Sequence, residues 1–199
     1  MLWVIFALSV YGFAGPPVWF YNVPSSSMAD TLLVGDVFLA SMDAYAGDDP
    51  RRGDVAVFDH GGITYVKRVI GLPGDRVQMI DGTLVLNGKP VEPEPASDQP
   101  SDDDPHGARL NVETLPNGVR YETLDLQEHG FLDNTDEFKV PAGHYFVLGD
   151  NRDNSVDSRS SQVGFVPRER FIGRATTLLF SFVPDTLEWR GDRFLQPIR

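Results

Sequence analysis

Ser25, Ser26 and Ser27 follow Pro24 in the stretch PSSSMADTLLVGD (24–36), and a lysine, Lys67, lies forty residues beyond Ser27 in YVKRVIGLPGD (65–75). A serine hydroxyl is a weak nucleophile until a neighbouring base takes its proton. Lysine can be that base only where burial brings its pKa down from about 10.4 towards neutrality. The strand pattern provides for this. Alternate residues share a face, so Ile63, Tyr65, Lys67 and Val69 lie on one side and Thr64, Val66, Arg68 and Ile70 on the other. Lys67 thus stands among apolar neighbours that desolvate its ammonium. Two plainer readings compete. Serines after a proline are turn chemistry by default, and a strand lysine more often snorkels to water.

A second polar cluster, GDNRDNSVDSR (149–159), follows much later in the chain. Its acids suggest a calcium loop, but that pattern needs acids at alternating positions and a glycine at the sixth, which no start at Asp150 or Asp153 supplies. As plain structure it is a turn rich in Asx hydrogen bonds. No G-x-S-x-G, S-x-x-K or H-E-x-x-H occurs. The run GTLVLNGKP (82–90) imitates a phosphate loop, with the wrong spacing and with Pro90 where a Ser or Thr is required.

The elements that must position these groups read mostly as strands. Short β-branched and aromatic runs at 32–40, 54–58 and 63–70 are separated by Gly/Asp/Pro-rich links. Asp81-Gly82 and Asn87-Gly88 then predict two successive hairpins with type I′ turns around 77–80 and 83–86. Residues 92–104 (EPEPASDQPSDDD) hold six acids, three prolines and no base, which predicts a solvated loop. Strands resume near 119 and at 144–148, and 171–183 reads as one long strand. A last hairpin is expected to pair 187–189 with 194–195. No long amphipathic helix is apparent after residue 20. The expected fold is mainly β, a compact catalytic barrel or set of sheets with an inserted β-rich excursion.

Composition bounds the function. The 199 residues suffice for one sizeable core, or one core with a small subdomain. Acids outnumber bases 29 to 17, a net charge of −12, which argues against a nucleic-acid partner. Without cysteine there is no thiol nucleophile, thiolate metal site or disulfide framework. Residues 2–14 are strongly apolar, and no charge precedes Asp30. A bilayer span needs about 20 residues, and Pro16-Pro17 ends this segment early. The expectation is a short membrane anchor over 1–21, the completeness of its start left open, followed by a catalytic domain over 22–199 with 82–142 as a cap-like insertion; Val18, Trp19, Phe20 and Tyr21 are expected to hold the cleft at the membrane–water interface. A buried N-terminal core element is the alternative.

Taken in order, the 24–36, 65–75 and 149–159 motifs, with RRGDVAVF (51–58) and FIGRA (171–175), resemble the type I signal peptidases, membrane-anchored serine proteases that use a Ser/Lys dyad. The resemblance covers essentially the whole chain. It implies Ser27 as nucleophile and Lys67 as general base, with Ser25 and the Ser27 N–H as oxyanion donors. It implies that Ser155 orients the lysine, that Asp157 and Arg159 form a supporting ion pair, and that Met28 and Tyr65 line the substrate cleft. Asp30 departs from the family, which usually has proline before this Thr-Leu. The implied substrates are exported preproteins with small residues at −1 and −3, bound as an extended strand at a sheet edge. The implied location is the plasma membrane, single-pass, with the catalytic domain on the extracytoplasmic side. No metal or cofactor is implied. Rival readings are another Ser/Lys processing peptidase on the same scaffold, a triad hydrolase using His60 or His144, and an inactive membrane-tethered β module.

Overall fold

The computed structural model describes residues 18–96, 109–127 and 129–199. The apolar run 2–14 lies outside them, as does most of the acidic stretch. Among the described residues no helix is long and apolar enough to cross a membrane. In chain order the strands are β1 (Val18–Asn22), β2 (Asp36–Ser41), β3 (Val55–His60) and β4 (Ile63–Gly71). Then come β5 (Arg76–Ile80), β6 (Thr83–Leu86), β7 (Lys89–Val91), β8 (Glu94–Pro95), β9 (Arg109–Thr114), β10 (Arg120–Asp125) and β11 (Phe138–Lys139). The last three are β12 (His144–Leu148), β13 (Val166–Pro167) and β14 (Phe171–Ser181).

The main sheet has seven strands in the order β1-β2-β14-β3-β4-β12-β13. It is open, not the closed barrel that was one form of the expectation. One reason is at the β13 edge: that strand has two residues, and Pro167 has no N–H with which to continue a ladder. The eleven residues of β14 reach across both β2 and β3, with register shifts that let the strand bend. The predicted I′ turns form. Asp81 and Gly82 have φ of 46° and 76°, and Asn87 and Gly88 have 54° and 74°, the left-handed geometry that matches strand twist.

The excursion between β4 and β12 builds a four-stranded sheet, β11-β5-β6-β7, and a three-stranded one, β10-β9-β8. Its apolar side chains share a core with the main sheet. Val77, Met79, Leu84 and Leu86 pack with Ile70 of β4 and with Phe146 and Leu148 of β12. The start of the acidic stretch is ordered: Glu94 pairs with Val112 across β8–β9 and accepts a salt bridge from Arg120 at 3.2 Å.

Two sequence expectations change. The final hairpin does not form. Trp189 bridges to Phe182 and Pro197 to Thr177, so the C-terminal segment lies against the β14 side of the sheet. Arg193 pins it, donating to Asp36 Oδ2 at 2.6 Å and to the Thr31 carbonyl at 3.0 Å. The aromatic run after the N-terminal segment is also less exposed than an interface belt requires. Tyr21 is buried and stacks on Phe38 with ring centroids 5.5 Å apart, and Trp19 packs against the same core.

Candidate active site

Strand β4 is buried on both faces from Lys67 to Gly71. Phe58 and Val69 belong to the core on the Lys67 side, and Tyr65 packs against it, stacked on Phe58 at 5.5 Å. The Lys67 residue is 4% exposed. Its Nζ donates to Ser27 Oγ at 2.7 Å and to the Val66 carbonyl at 3.0 Å. Burial pushes its pKa down from 10.5 to about 8, against the opposing pull of the Asp157 and Asp150 carboxylates. A lysine that loses its proton near pH 8 can serve as a base at working pH.

Ser27 sits in a tight turn between β1 and β2, closed by Ala29 N–H on the Ser26 carbonyl and by Leu32 N–H on the Met28 carbonyl. Met28 is buried beneath it, which anchors the turn in the core. Ser25 Oγ lies 3.3 Å from Ser27 Oγ. The 149–159 loop clasps the same turn. Asn151 N–H donates to the Ser27 carbonyl at 3.2 Å and Asn154 Nδ2 to Ser26 Oγ at 2.8 Å. Gly149 is required here, since a Cβ on it would fall 2.2 Å from Ser155 Oγ and 2.5 Å from the Ser27 carbonyl oxygen.

Ser155 lines the same cleft as Lys67, but its Oγ is buried without a hydrogen-bond partner among the described residues. Lys67 directs its hydrogen bonds to Ser27 and Val66 instead. Asp157 and Arg159 form a fully buried bidentate pair at 2.9 and 2.8 Å, and Asp157 Oδ2 also accepts from the Gly149 N–H. Met28 and Tyr65 both line the cleft, whose volume is about 570 Å³ and whose walls are more apolar than polar. His144 binds the Ala142 carbonyl and His60 stands edge-on to Tyr65; neither lines the cleft. Among the described residues no group of three His, Asp or Glu is placed to hold a metal ion.

The strand pattern concealed one residue of consequence. Arg68, on the opposite face of β4 from Lys67, is fully buried and binds Asp150 through Nε at 2.8 Å and Nη2 at 2.7 Å. Thr31 Oγ1 donates to the same carboxylate at 2.5 Å. This pair ties β4 to both ends of the site. Its signal was present in the sequence: Val66 and Ile70 flank Arg68 as Tyr65 and Val69 flank Lys67.

A serine hydroxyl held against a buried amine of lowered pKa, beside an apolar cleft, has the constitution of a Ser/Lys hydrolase site. Comparisons with known proteins give the family. A family model described as signal peptidase, peptidase S26, matches residues 1–180. The signal peptidase I of Rickettsia conorii is 36% identical over 190 residues, covering 81% of this chain and 71% of its own. That of Rickettsia typhi is 35% identical over the same coverage. Among solved structures, a signal peptidase I from Enterococcus faecalis V583 is 30% identical, covering 64% of this chain and 97% of its own with a TM-score of 0.38. The chain belongs to the signal peptidase S26 family of peptidases.

Proposed function

We propose that this chain is a membrane-associated serine endopeptidase that removes N-terminal signal peptides from exported preproteins, with Ser27 as nucleophile and Lys67 as general base. The observation that carries this reading is the 2.7 Å hydrogen bond between a buried lysine and Ser27 in a chain of this family. Neutral Lys67 takes the Ser27 proton as Oγ attacks the scissile carbonyl, and returns it to the leaving amine. The acyl-enzyme is then hydrolysed by a water that Lys67 activates in the same way. Ser25 Oγ and the Ser27 N–H stabilise the oxyanion, and such donors are each worth about 2.7–4 kcal/mol. Asp157, Arg159 and Ser155 hold the wall of the cleft behind the lysine.

The substrate strand has a place to lie. β3 pairs with β4 along its length, whereas β12 pairs with it only from Arg68 onward. Among the described residues the 63–67 edge therefore has no strand partner on the side away from β3. An extended peptide adds main-chain hydrogen bonds there and presents alternate side chains to the cleft around Met28 and Tyr65, which fits small residues at −1 and −3.

The reading is tested by incubating the chain with a preprotein in detergent and locating the cut by mass spectrometry. Cleavage is expected after the A-x-A-type site. On a short peptide, kcat/KM should rise about tenfold per pH unit and level off near pH 8, because only unprotonated Lys67 can accept the proton. A profile that is flat from pH 6 to 9, or a cut elsewhere in the preprotein, refutes the assignment.

Association with the bilayer has support in the described residues. Phe180, Phe182, Trp189 and Phe194 form a chain of ring contacts, with Leu187 and Leu195 also exposed. This patch abuts the catalytic turn. Phe182 N–H donates to the Gly35 carbonyl, and Gly35 N–H donates to the Val23 carbonyl. Exposed aromatics favour the membrane–water interface. Replacing Trp189 and Phe194 by Ser should weaken liposome binding and slow preprotein cleavage in liposomes several-fold, with a short soluble peptide cleaved as before. Equal losses on both substrates assign these rings to packing.

A further inference from the structure

Glu113 is a buried acid of β9, outside every motif that carries the chemistry. Its Oε2 accepts from Arg152 Nη2 at 2.6 Å and from the Tyr121 hydroxyl of β10 at 2.5 Å, and Arg152 Nη2 also meets the Tyr121 hydroxyl at 3.2 Å. Arg152 belongs to the loop that clasps Ser27. Its Nε donates to the Gly149 carbonyl at 3.2 Å, within that loop. The Tyr121 ring covers the guanidinium of Arg68 at 4.2 Å, so one aromatic links the two buried arginines.

The backbone continues the connection. The end of β10 runs parallel to the loop, with Leu124 bridged to Asn151. Leu124 N–H donates to the Asp150 carbonyl and Arg152 N–H to the Leu124 carbonyl, each at 2.9 Å. Asp153 Oδ2 caps the Leu126 and Gln127 N–H groups just beyond β10. Asn151, placed between these contacts, is the residue whose N–H holds the Ser27 carbonyl. The inserted β9–β10 ribbon is thus continuous, through buried groups, with the turn that presents the nucleophile.

We propose that Glu113, assisted by Tyr121, is a positioning residue for the peptidase reaction: through Arg152 it holds the 149–155 loop, and through Asn151 the Ser27 turn, at the distance from Lys67 that proton transfer needs. This rests on the function proposed above. It makes the excursion part of the catalytic apparatus, distinct from the acidic stretch that precedes β9. The physical reason is the charge of Arg152. A buried guanidinium stays where its carboxylate is, and without that partner it moves towards water and takes the loop along. A displacement of about 1 Å at the reacting groups costs on the order of a hundredfold in rate. None of these hydrogen bonds is made by the 63–67 edge of β4, so the loss falls chiefly on kcat.

The experiment compares Glu113→Gln, Tyr121→Phe and Ser27→Ala with the parent on a short peptide, well below each variant's melting temperature. Glu113→Gln keeps the shape and loses the charge. It should lower kcat by about tenfold or more with KM within about twofold. Tyr121→Phe keeps the ring over Arg68 and loses one hydroxyl, and should lower kcat about threefold. If Glu113→Gln does not fold, Tyr121→Phe decides alone. A kcat within twofold of the parent in the folded variants, or a loss that tracks only the folded fraction on cooling, overturns the inference. Cleavage by Ser27→Ala at the parent rate overturns the assignment of the nucleophile instead, whatever Glu113→Gln does.

Discussion

Lys67→Ala and Ser27→Ala are each expected to lower preprotein cleavage about a thousandfold or more, and the double variant no further, because members of a catalytic unit fail together. The 2.7 Å contact between them is the reason: among the described residues no second amine or imidazole lines the cleft, and Lys67 Nζ donates to Ser27, not to Ser25 or Ser155. Retained turnover in Lys67→Ala, with loss in His60→Ala or His144→Ala, would sink the dyad. A stability measurement separates chemistry from folding. Burial holds the Lys67 pKa near 8 in the folded chain against 10.5 when exposed, a difference on the order of 3 kcal/mol. Below about pH 8 the folded and unfolded chains both carry the proton, so the folded state bears the full cost of the buried charge. Between about 8 and 10.5 the folded chain has released it and the unfolded chain has not, so stability rises with pH. Lys67→Met should therefore be inactive, yet more stable than the parent at pH 7 by up to about 3 kcal/mol. That advantage should shrink as the pH approaches 10.5. Urea denaturation at pH 7 and pH 10 reads it, and a destabilised Lys67→Met at pH 7 would show that the ammonium is well solvated.

Much of this site is legible in the sequence because its motifs are local. Alternation places Lys67 on a face with Tyr65 and Val69, but turn chemistry alone leaves Ser25 and Ser27 in a plain loop, and it is the resemblance of the ordered motifs that singles out the three. The Asp-Gly and Asn-Gly hairpins are legible from turn chemistry directly. What alternation does not convey is whether the second face of a strand is also covered. Arg68 is buried because the β5–β7 sheet and the 149–159 loop pack over that face, contacts that span most of the chain. Glu113 is harder still. A lone acid in RLNVET reads as solvated, and only the meeting of β9 with Arg152 gives it a partner. The C-terminal hairpin was misread because Arg190 and Arg193 look like turn residues. They instead reach the Val34 carbonyl and Asp36 on the opposite side of the main sheet's turn, and draw the segment onto β14. The amphipathic ring of Tyr21 suits an interface, but its stacking on Phe38 buries it in the core.

Breaking the Arg68–Asp150 pair should have a large effect on folding. Both side chains are essentially without solvent contact. Asp150→Ala leaves a buried guanidinium with, among the described residues, the Gly53 carbonyl, the Thr31 hydroxyl and the Tyr121 ring as partners. Removing one member of such a pair costs about 3–5 kcal/mol, since the other charge stays desolvated without compensation. Urea denaturation should show a lowered midpoint at unchanged slope. Arg68→Lys should fare little better, because an ammonium cannot reproduce the paired Nε and Nη2 contacts at 2.8 and 2.7 Å. Replacing both residues by apolar ones, Arg68→Met with Asp150→Leu, removes both desolvation costs and should recover most of the lost stability. Activity should not return with it. Thr31 loses the carboxylate that anchors it at 2.5 Å, and with it one of the ties between the Ser27 turn and the 149–159 loop, beside those of Asn151 and Asn154. A double variant that is stable and inactive is the expected outcome, measured as denaturation midpoint against kcat on a short peptide. One that is stable and fully active would mean that apolar packing alone aligns Ser27 with Lys67, and that the pair contributes nothing to the site beyond its own burial.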